Sequence, residues 1–406
     1  MGGPGRNGYG RAPQLTRVRT WQITAGLAWQ SPRSHGARMA GRRRSHGARM
    51  VLAADRRQRP DAPGSPGMCY GEDVSAVQWL ADDLVLIDTL YQDTAQAVGS
   101  YLLLGRRPAL VETGPASRLE TLLAGVRAAG LDPAALQAVA VTHIHLDHAG
   151  AVGALVQRYQ HLDVYVHAVG APHLAEPSRL LASAGRLYGA LLGPLFGEVV
   201  PVPADRIRPL GDGETVTLGA RELVAIASPG HARHHLVYHD RARGELFTGD
   251  AAGVALPGTR SVRAPTPPPE LDIPAWLETI DRLRGLRPRR LLLTHFGPHD
   301  WADDLLAALA AQLQRLERLA LDAVEAGLDD ATILARLAQA VAAGGREAPA
   351  AAGPDGAGAE TRGGRVPPSA DESAPAGSDV DRLEVIMASQ QSAQGLLRYA
   401  RTRLGR

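Results

Sequence analysis

The stretch Ala140-Val-Thr-His-Ile-His-Leu-Asp-His-Ala-Gly150 carries four metal-competent side chains, His143, His145, Asp147 and His148, within six residues. An apolar, β-branched run leads directly into it, so the sequence predicts a buried strand that ends in a ligand-rich loop. Imidazole and carboxylate are the donors that zinc, iron and manganese accept. In extended backbone the i, i+2 spacing of His143 and His145 turns both rings to one side. Asp147 and His148 then face a second ion or a bound water.

Three further segments end an apolar strand with a potential ligand. They are Ala227-Ser-Pro-Gly-His231, Phe247-Thr-Gly-Asp250 and Leu292-Leu-Thr-His295. Strand ends are where a rigid scaffold presents reactive groups. A single His or Asp in such a place is ordinary turn chemistry. The argument rests on four segments recurring in one order within one stretch of chain.

At 406 residues the chain has ample material for a large core. Its formal charge of +2 is unevenly spread: residues 1–60 hold thirteen Arg and one acidic residue, Asp55, which leaves the remainder at −10. The mildly acidic remainder gives no reason to expect a nucleic-acid partner. An arginine-rich arm could bind phosphate backbones, which keeps a nucleic-acid-processing function as a third alternative. A lone cysteine, Cys69, excludes an internal disulfide and a thiolate metal cage. No apolar run approaches the ~20 residues that span a bilayer, and residues 1–30 lack the apolar core of a secretory signal. The expected setting is cytoplasmic, with a homodimer left open.

Residues 1–70 are Gly, Arg, Pro and Ser rich and repeat Arg-Ser-His-Gly-Ala-Arg-Met at 33–39 and 44–50. They read as a disordered segment, either a solvated tail or an extension upstream of a start at Met50 or Met68. Residues 76–300 read as the catalytic domain. Strands are expected at 83–88, 100–104, 108–114, 138–142 and 163–167, with helices at 116–129 and 149–159. Residues 170–200 read as helical with a break near 193–194. Further strands are expected at 215–218, 222–227, 235–238, 245–248 and 290–294, with a helix at 273–285. Helices fill the stretch to 343, 344–380 reads as an Ala/Gly/Pro-rich linker, and 381–406 as a docking helix using Leu383, Ile386, Leu396, Leu397 and Tyr399. This order of elements suggests an α/β architecture of two sheets between helical layers.

His-x-His-x-Asp-His, Ser-Pro-Gly-His, Thr-Gly-Asp and Thr-His, in that order, resemble the metallo-β-lactamase superfamily, and its glyoxalase II-like branch in particular, over roughly residues 80–300. The resemblance implies an αββα metallo-β-lactamase sandwich, here with a C-terminal helical extension. It implies two divalent ions, zinc first and iron or manganese as alternatives. His143, His145 and His231 would hold one ion, Asp147, His148 and His295 the other, and Asp250 would bridge them. The implied activity is hydrolysis of a small ester, thioester, lactone or phosphoester by a metal-bridging hydroxide, with Asp147 and Asp250 as catalytic groups. A mononuclear iron persulfide dioxygenase is the alternative, but it uses fewer ligands.

The chain departs from the family pattern in places. The usual Asp-Thr-Gly appears as Glu112-Thr-Gly114. His235 matches a second family histidine, but Arg233 and His234 replace the Pro and Gly that precede it. Asp250 is followed by Ala-Ala-Gly-Val, without the segments typical of glyoxalase II, persulfide dioxygenases or lactonases. His173 and Arg179 are candidate contacts to a small-molecule substrate, and His235 is a candidate either for such a contact or for a supporting place behind the metal ligands. Arg179 offers a bidentate fork for a carboxylate or phosphate.

Overall fold

The computed structural model describes residues 69–70, 76–346 and 379–406. The expected disorder of residues 1–70 therefore falls almost wholly outside the described residues, as does nearly all of the expected linker.

Eight strands form the first sheet in sequence order: β1 (Cys69–Tyr70), β2 (Ala76–Ala81), β3 (Leu84–Asp88), β4 (Gly99–Leu103), β5 (Ala109–Val111), β6 (Ala138–Ala140), β7 (Asp163–His167) and β8 (Ile207–Leu210). Neighbours are antiparallel up to β5 and parallel from β5 to β8. The parallel half needs crossovers, supplied by α1 (Leu119–Ala128) between β5 and β6 and by α2 (Leu146–Ala149) and α3 (Val152–Arg158) between β6 and β7. Three short helices, α4 (Ala171–Ala175), α5 (Ser178–Tyr188) and α6 (Leu192–Phe196), fill the connection to β8.

The second sheet contains β9 (Thr215–Leu218), β10 (Arg221–Ala227), β11 (Leu236–Asp240), β12 (Glu245–Gly249), β14 (Arg290–Leu293) and β15 (Gly297–His299), in spatial order β15-β14-β12-β11-β10-β9. Helix α7 (Ile273–Gly285) makes the crossover from β12 to its parallel partner β14. Asp272 caps α7 by accepting the Ala275 amide, and Pro274 sits in its first turn. Helices α8 (Ala302–Glu325), α9 (Asp330–Ala343), α10 (Asp379–Ile386) and α11 (Ser389–Leu404) follow, and β13 (Ser261–Val262) pairs with β16 (Gly345–Arg346).

Strand periodicity places the cores. Leu84 and Leu86, with Tyr101 of β4, face the second sheet, where Tyr238, Phe247 and Leu292 meet them. Val85 and Ile87, one residue out of phase, face α1 and α3 through Leu122, Val126, Val152 and Leu155. On the far side Leu246, Leu291 and Leu293 pack against Trp276, Ile280, Leu305 and Leu309. Both faces of both sheets are covered, which explains why these strands read as unbroken apolar runs. The result is the αββα sandwich, with a C-terminal helical extension.

Several strands differ from the sequence expectation, among them β1, β2 and β13, which lie outside the expected strands. β8 and β15 were not foreseen, and both contain a proline, Pro209 and Pro298. Proline cannot donate to a ladder and is tolerated at sheet edges, where both strands lie. The stretch expected to be helical from 299 thus opens with the end of a strand. β16 likewise occupies the first residues of the expected linker, and α10 takes its last two. No helix among the described residues is long and apolar enough to cross a membrane.

Candidate metal centre

Every candidate ligand lies at or just beyond the C-terminal end of a strand. β6 delivers the His143 loop, β10 leads to His231, β12 to Asp250 and β14 to His295. Thr142 clamps the first of these loops between the sheets. Its amide donates to Glu112 Oε1 at 3.1 Å, and its carbonyl accepts the Leu236 amide at 2.7 Å. Two glycines permit the close approaches. At Gly249 (φ 49°) a Cβ would lie 2.3 Å from Thr142 Oγ1, and at Gly230 (φ 139°) a Cβ would lie 2.2 Å from that of Trp276.

His143, His145 and His231 form one group of ligand atoms. His145 Nδ1 lies 3.0 Å from His143 Nε2 and 2.9 Å from His231 Nε2. Asp147, His148 and His295 form another, with His295 Nε2 at 3.2 Å from His148 Nε2 and 3.6 Å from Asp147 Oδ2. Asp250 faces both groups. Its Oδ2 is 3.3 Å from His231 Nε2, while Oδ1 is 3.2 Å from His148 Nε2 and 3.4 Å from His295 Nε2. All but His145 and Asp147 are buried.

Hydrogen bonds on the outer side orient the rings. His231 Nδ1 meets the Pro265 carbonyl at 2.8 Å, and His295 Nδ1 meets the Ala97 carbonyl at 2.7 Å. A carbonyl only accepts, so both Nδ1 atoms carry a proton and both rings turn Nε2 to the cluster. His143 Nδ1 is similarly engaged with Thr142 Oγ1 at 3.0 Å. The donor set fits divalent cations. One proton on His145 Nδ1 satisfies at most one of its two close nitrogen contacts, and Asp250 Oδ1 is buried without a hydrogen-bond partner. A cation would satisfy them together.

The electrostatics agree with that reading. Burial holds the His143 and His145 imidazoles well below their usual range, and lowers His231 as well, so all three are neutral at pH 7, the form that ligates. Burial also disfavours charge on His148, but the carboxylates of Asp250, Asp147 and Glu112 outweigh it and raise its basicity well above normal. Burial would push Asp250 towards its neutral form, yet the charge on His148 outweighs it and holds the carboxyl well below the usual carboxylate range. A metal entering this site must therefore displace a proton from His148. Zinc affinity, measured by competition titration between pH 6 and pH 8, is expected to rise with pH by up to about tenfold per unit while that proton is bound. An affinity independent of pH would contradict it.

Glu112 replaces the expected aspartate with its backbone at φ 69°. Its Oε1 serves both the Thr142 amide and, at 3.5 Å, His148 Nδ1. The neighbouring Thr113 donates its amide and its hydroxyl to the His148 carbonyl, each at 2.9 Å. The longer carboxylate thus stands behind His148 and its loop.

A cavity opens over the cluster. Among the expected substrate contacts, His173 and Arg179 line it. Arg179, at the start of α5, has no ion-pair partner among the described residues and is exposed. His235 does not line it and takes a place behind the ligands. It is fully buried beneath the ligands, its ring stacks on His143 at 4.7 Å, and its Nε2 accepts the Asp250 amide at 3.2 Å. His234, in the turn that precedes β11, takes the cavity side instead.

His234 Nε2 lies 3.5 Å from Glu270 Oε2, and Glu270 pairs with Arg233 at 2.9 Å. Burial lowers the His234 imidazole to about 3, so it is neutral. Tyr188 and Phe196 line the wall, whereas Phe296 belongs to the core between the sheets. Ile386, Met387, Ala388, Gln391 and Ser392 also face the cavity. Sequence reasoning assigned that C-terminal segment to docking alone. Amphipathy marks which face is apolar, but not what it covers.

A family model described as the Metallo-beta-lactamase superfamily matches residues 74–295, more than half of the chain. A metallo-beta-lactamase fold-containing protein, ST1585, of Sulfurisphaera tokodaii is 32% identical over 166 residues, covering 40% of this chain and 61% of that relative. An acyl-coenzyme A thioesterase, MBLAC2, of Gallus gallus is 30% identical over 203 residues, covering 44% of this chain and 67% of the relative. A hydroxyacylglutathione hydrolase of Aeromonas hydrophila is 32% identical over 115 residues, covering 28% and 33%. The chain thus spans between one third and two thirds of the length of these relatives.

Proposed function

The chain belongs to the metallo-beta-lactamase superfamily, and from that premise we propose that it is a dinuclear metal-dependent hydrolase of acyl thioesters or esters. The observation that carries the reading is the placement of Asp250. Its two oxygens face two separate nitrogen-rich groups, 3.3 Å from His231 on one side and 3.2 Å from His148 on the other. A mononuclear oxygenase would leave His148 and His295 without a task, so the second group favours two cations. Two of the relatives are named for acyl hydrolysis, an acyl-coenzyme A thioesterase and a hydroxyacylglutathione hydrolase, which supports an acyl substrate.

His143, His145 and His231 would hold one ion, Asp147, His148 and His295 the other, with Asp250 shared. Such ions bring the pKa of a bound water towards neutrality and polarise the carbonyl under attack. The remaining work falls to the protein. Asp147 lines the cavity with its carboxylate partly open, 3.6 Å from His295 Nε2. It is placed to take the proton from the attacking water and pass it to the departing thiolate or alkoxide. Arg179 and His173, at the cavity wall, suit an anionic part of the substrate or leaving group.

Purified protein is expected to contain two transition-metal ions per chain and to cleave simple acyl thioesters. Chelation should abolish turnover, and added zinc, iron or manganese should restore it. Metal-replete protein inactive on a panel of thioesters, esters, lactones and phosphodiesters would refute the hydrolase. One iron per chain, with oxygen uptake on a persulfide, would favour the oxygenase.

A further inference from the structure

The cavity above the centre is lined by Asp147, His231, Asp250 and His295 and also by an apolar stripe. Leu180, Ala184 and Leu187 recur at i, i+4 and i+7 along α5 and all face the cavity, with Arg179 and Ser183 beside them, and α5 buries none of its residues. An amphipathic helix ordinarily spends such a stripe on a core. Here the stripe is only half-covered, by the cluster around Leu146 and Phe196, and also borders the cavity.

The turn joining α10 to α11 lies across that space. Ile386, Met387 and Ala388 line the cavity there, and Ile386 packs in the same apolar cluster as Leu180 and Ala184. The turn is firmly held. Met387 is buried in the core shared by α8, α9 and α11. Thr266 Oγ1 donates to the Ser392 carbonyl at 3.1 Å, and Arg382 donates to Gln96 Oε1 at 3.2 Å. Gly395 passes so close that a Cβ would lie 1.9 Å from the Thr266 carbonyl oxygen. A wall this well anchored sets a fixed limit.

We infer that the slot between α5 and the α10–α11 turn receives the aliphatic chain of the acyl group, and that Ile386 fixes the chain length accepted. The assignment rests on the acyl-hydrolase reading above. Its physical basis is that apolar walls left uncovered by the protein gain from displacing water, by about three- to fourfold in affinity per methylene buried. Chains too long for the slot meet the Ile386 wall and lose that gain.

The test uses the full, metal-loaded chain and a series of straight-chain 4-nitrophenyl esters from acetyl to dodecanoyl. Calorimetric binding of decanoate provides a readout that needs no turnover. The wild-type protein is expected to bind decanoate and to favour medium chains. Ile386→Trp should lower the decanoyl-to-acetyl ratio of kcat/KM by at least about tenfold and weaken decanoate binding alike. Ile386→Ala should move the optimum to longer chains, with melting temperature and metal content certifying both folds. An unchanged ratio and unchanged decanoate affinity in both folded variants would overturn the slot. So would wild-type hydrolysis of acetyl ester with no chain-length preference and no decanoate binding, although the hydrolase would stand. Decanoate binding that depends on Ile386 in a protein that cleaves no ester or thioester would sink the hydrolase and keep the slot.

Discussion

Asp250→Ala is expected to lower kcat/KM by about a thousandfold or more and to reduce the metal content from two ions per chain to one or none. The size follows from what one carboxylate does here. Its two oxygens face His231 on one side and His148 with His295 on the other, so truncation removes an anionic donor from both groups at once. It also withdraws the carboxylate that does most to raise the basicity of His148. Asp250→Asn keeps the shape and loses the charge, which separates the two contributions. If the asparagine variant retains both metals while losing turnover, charge matters chiefly to the reaction; if both variants retain two metals, the shared-ligand assignment is wrong. Metal analysis and steady-state kinetics on the same preparations decide between these outcomes, and circular dichroism checks that the fold survives.

That such a variant can be chosen at all reflects how much of the site is written locally. His143, His231, Asp250 and His295 each follow an apolar strand, and the apolar runs that bury β6, β10, β12 and β14 also mark where each strand releases its ligand. The sandwich was legible for the same reason. Features set by distant partners were not. β8 and β15 are short, contain proline and exist because a neighbouring strand accepts them at an edge. His235 was legible as a motif position, but its direction depends on the phase of the chain entering β11, which turned it beneath His143 and gave His234 the cavity. The C-terminal helices showed an apolar face, yet which surface that face covers is a tertiary fact. It took the folded chain to bring Ile386 opposite Leu180, roughly two hundred residues away in sequence.

Trp276→Ala is expected to have the largest effect on stability, about 3–5 kcal/mol, through the cavity it leaves. Trp276 is fully buried in α7 and is the largest such side chain. It joins fold to site by three contacts. Its ring stands edge-on to His231 at 5.6 Å, its Cβ abuts Gly230 in the turn before that ligand, and its Nε1 donates to the carbonyl of Ala251, directly after Asp250, at 2.8 Å. Two ligands that arrive on different strands therefore lean on one side chain. Truncation should lower the melting temperature of the metal-free protein and also shrink the further rise produced by added zinc, because part of the binding energy would go into re-ordering His231 and Asp250. Trp276→Phe separates packing from hydrogen bonding: it keeps most of the ring but leaves the Ala251 carbonyl unpaired, at a cost of about 1–3 kcal/mol. Should Trp276→Ala weaken the metal-free fold while the zinc-induced rise stays at its wild-type size, Trp276 belongs to the core alone, and the positions of His231 and Asp250 are fixed by their own strands.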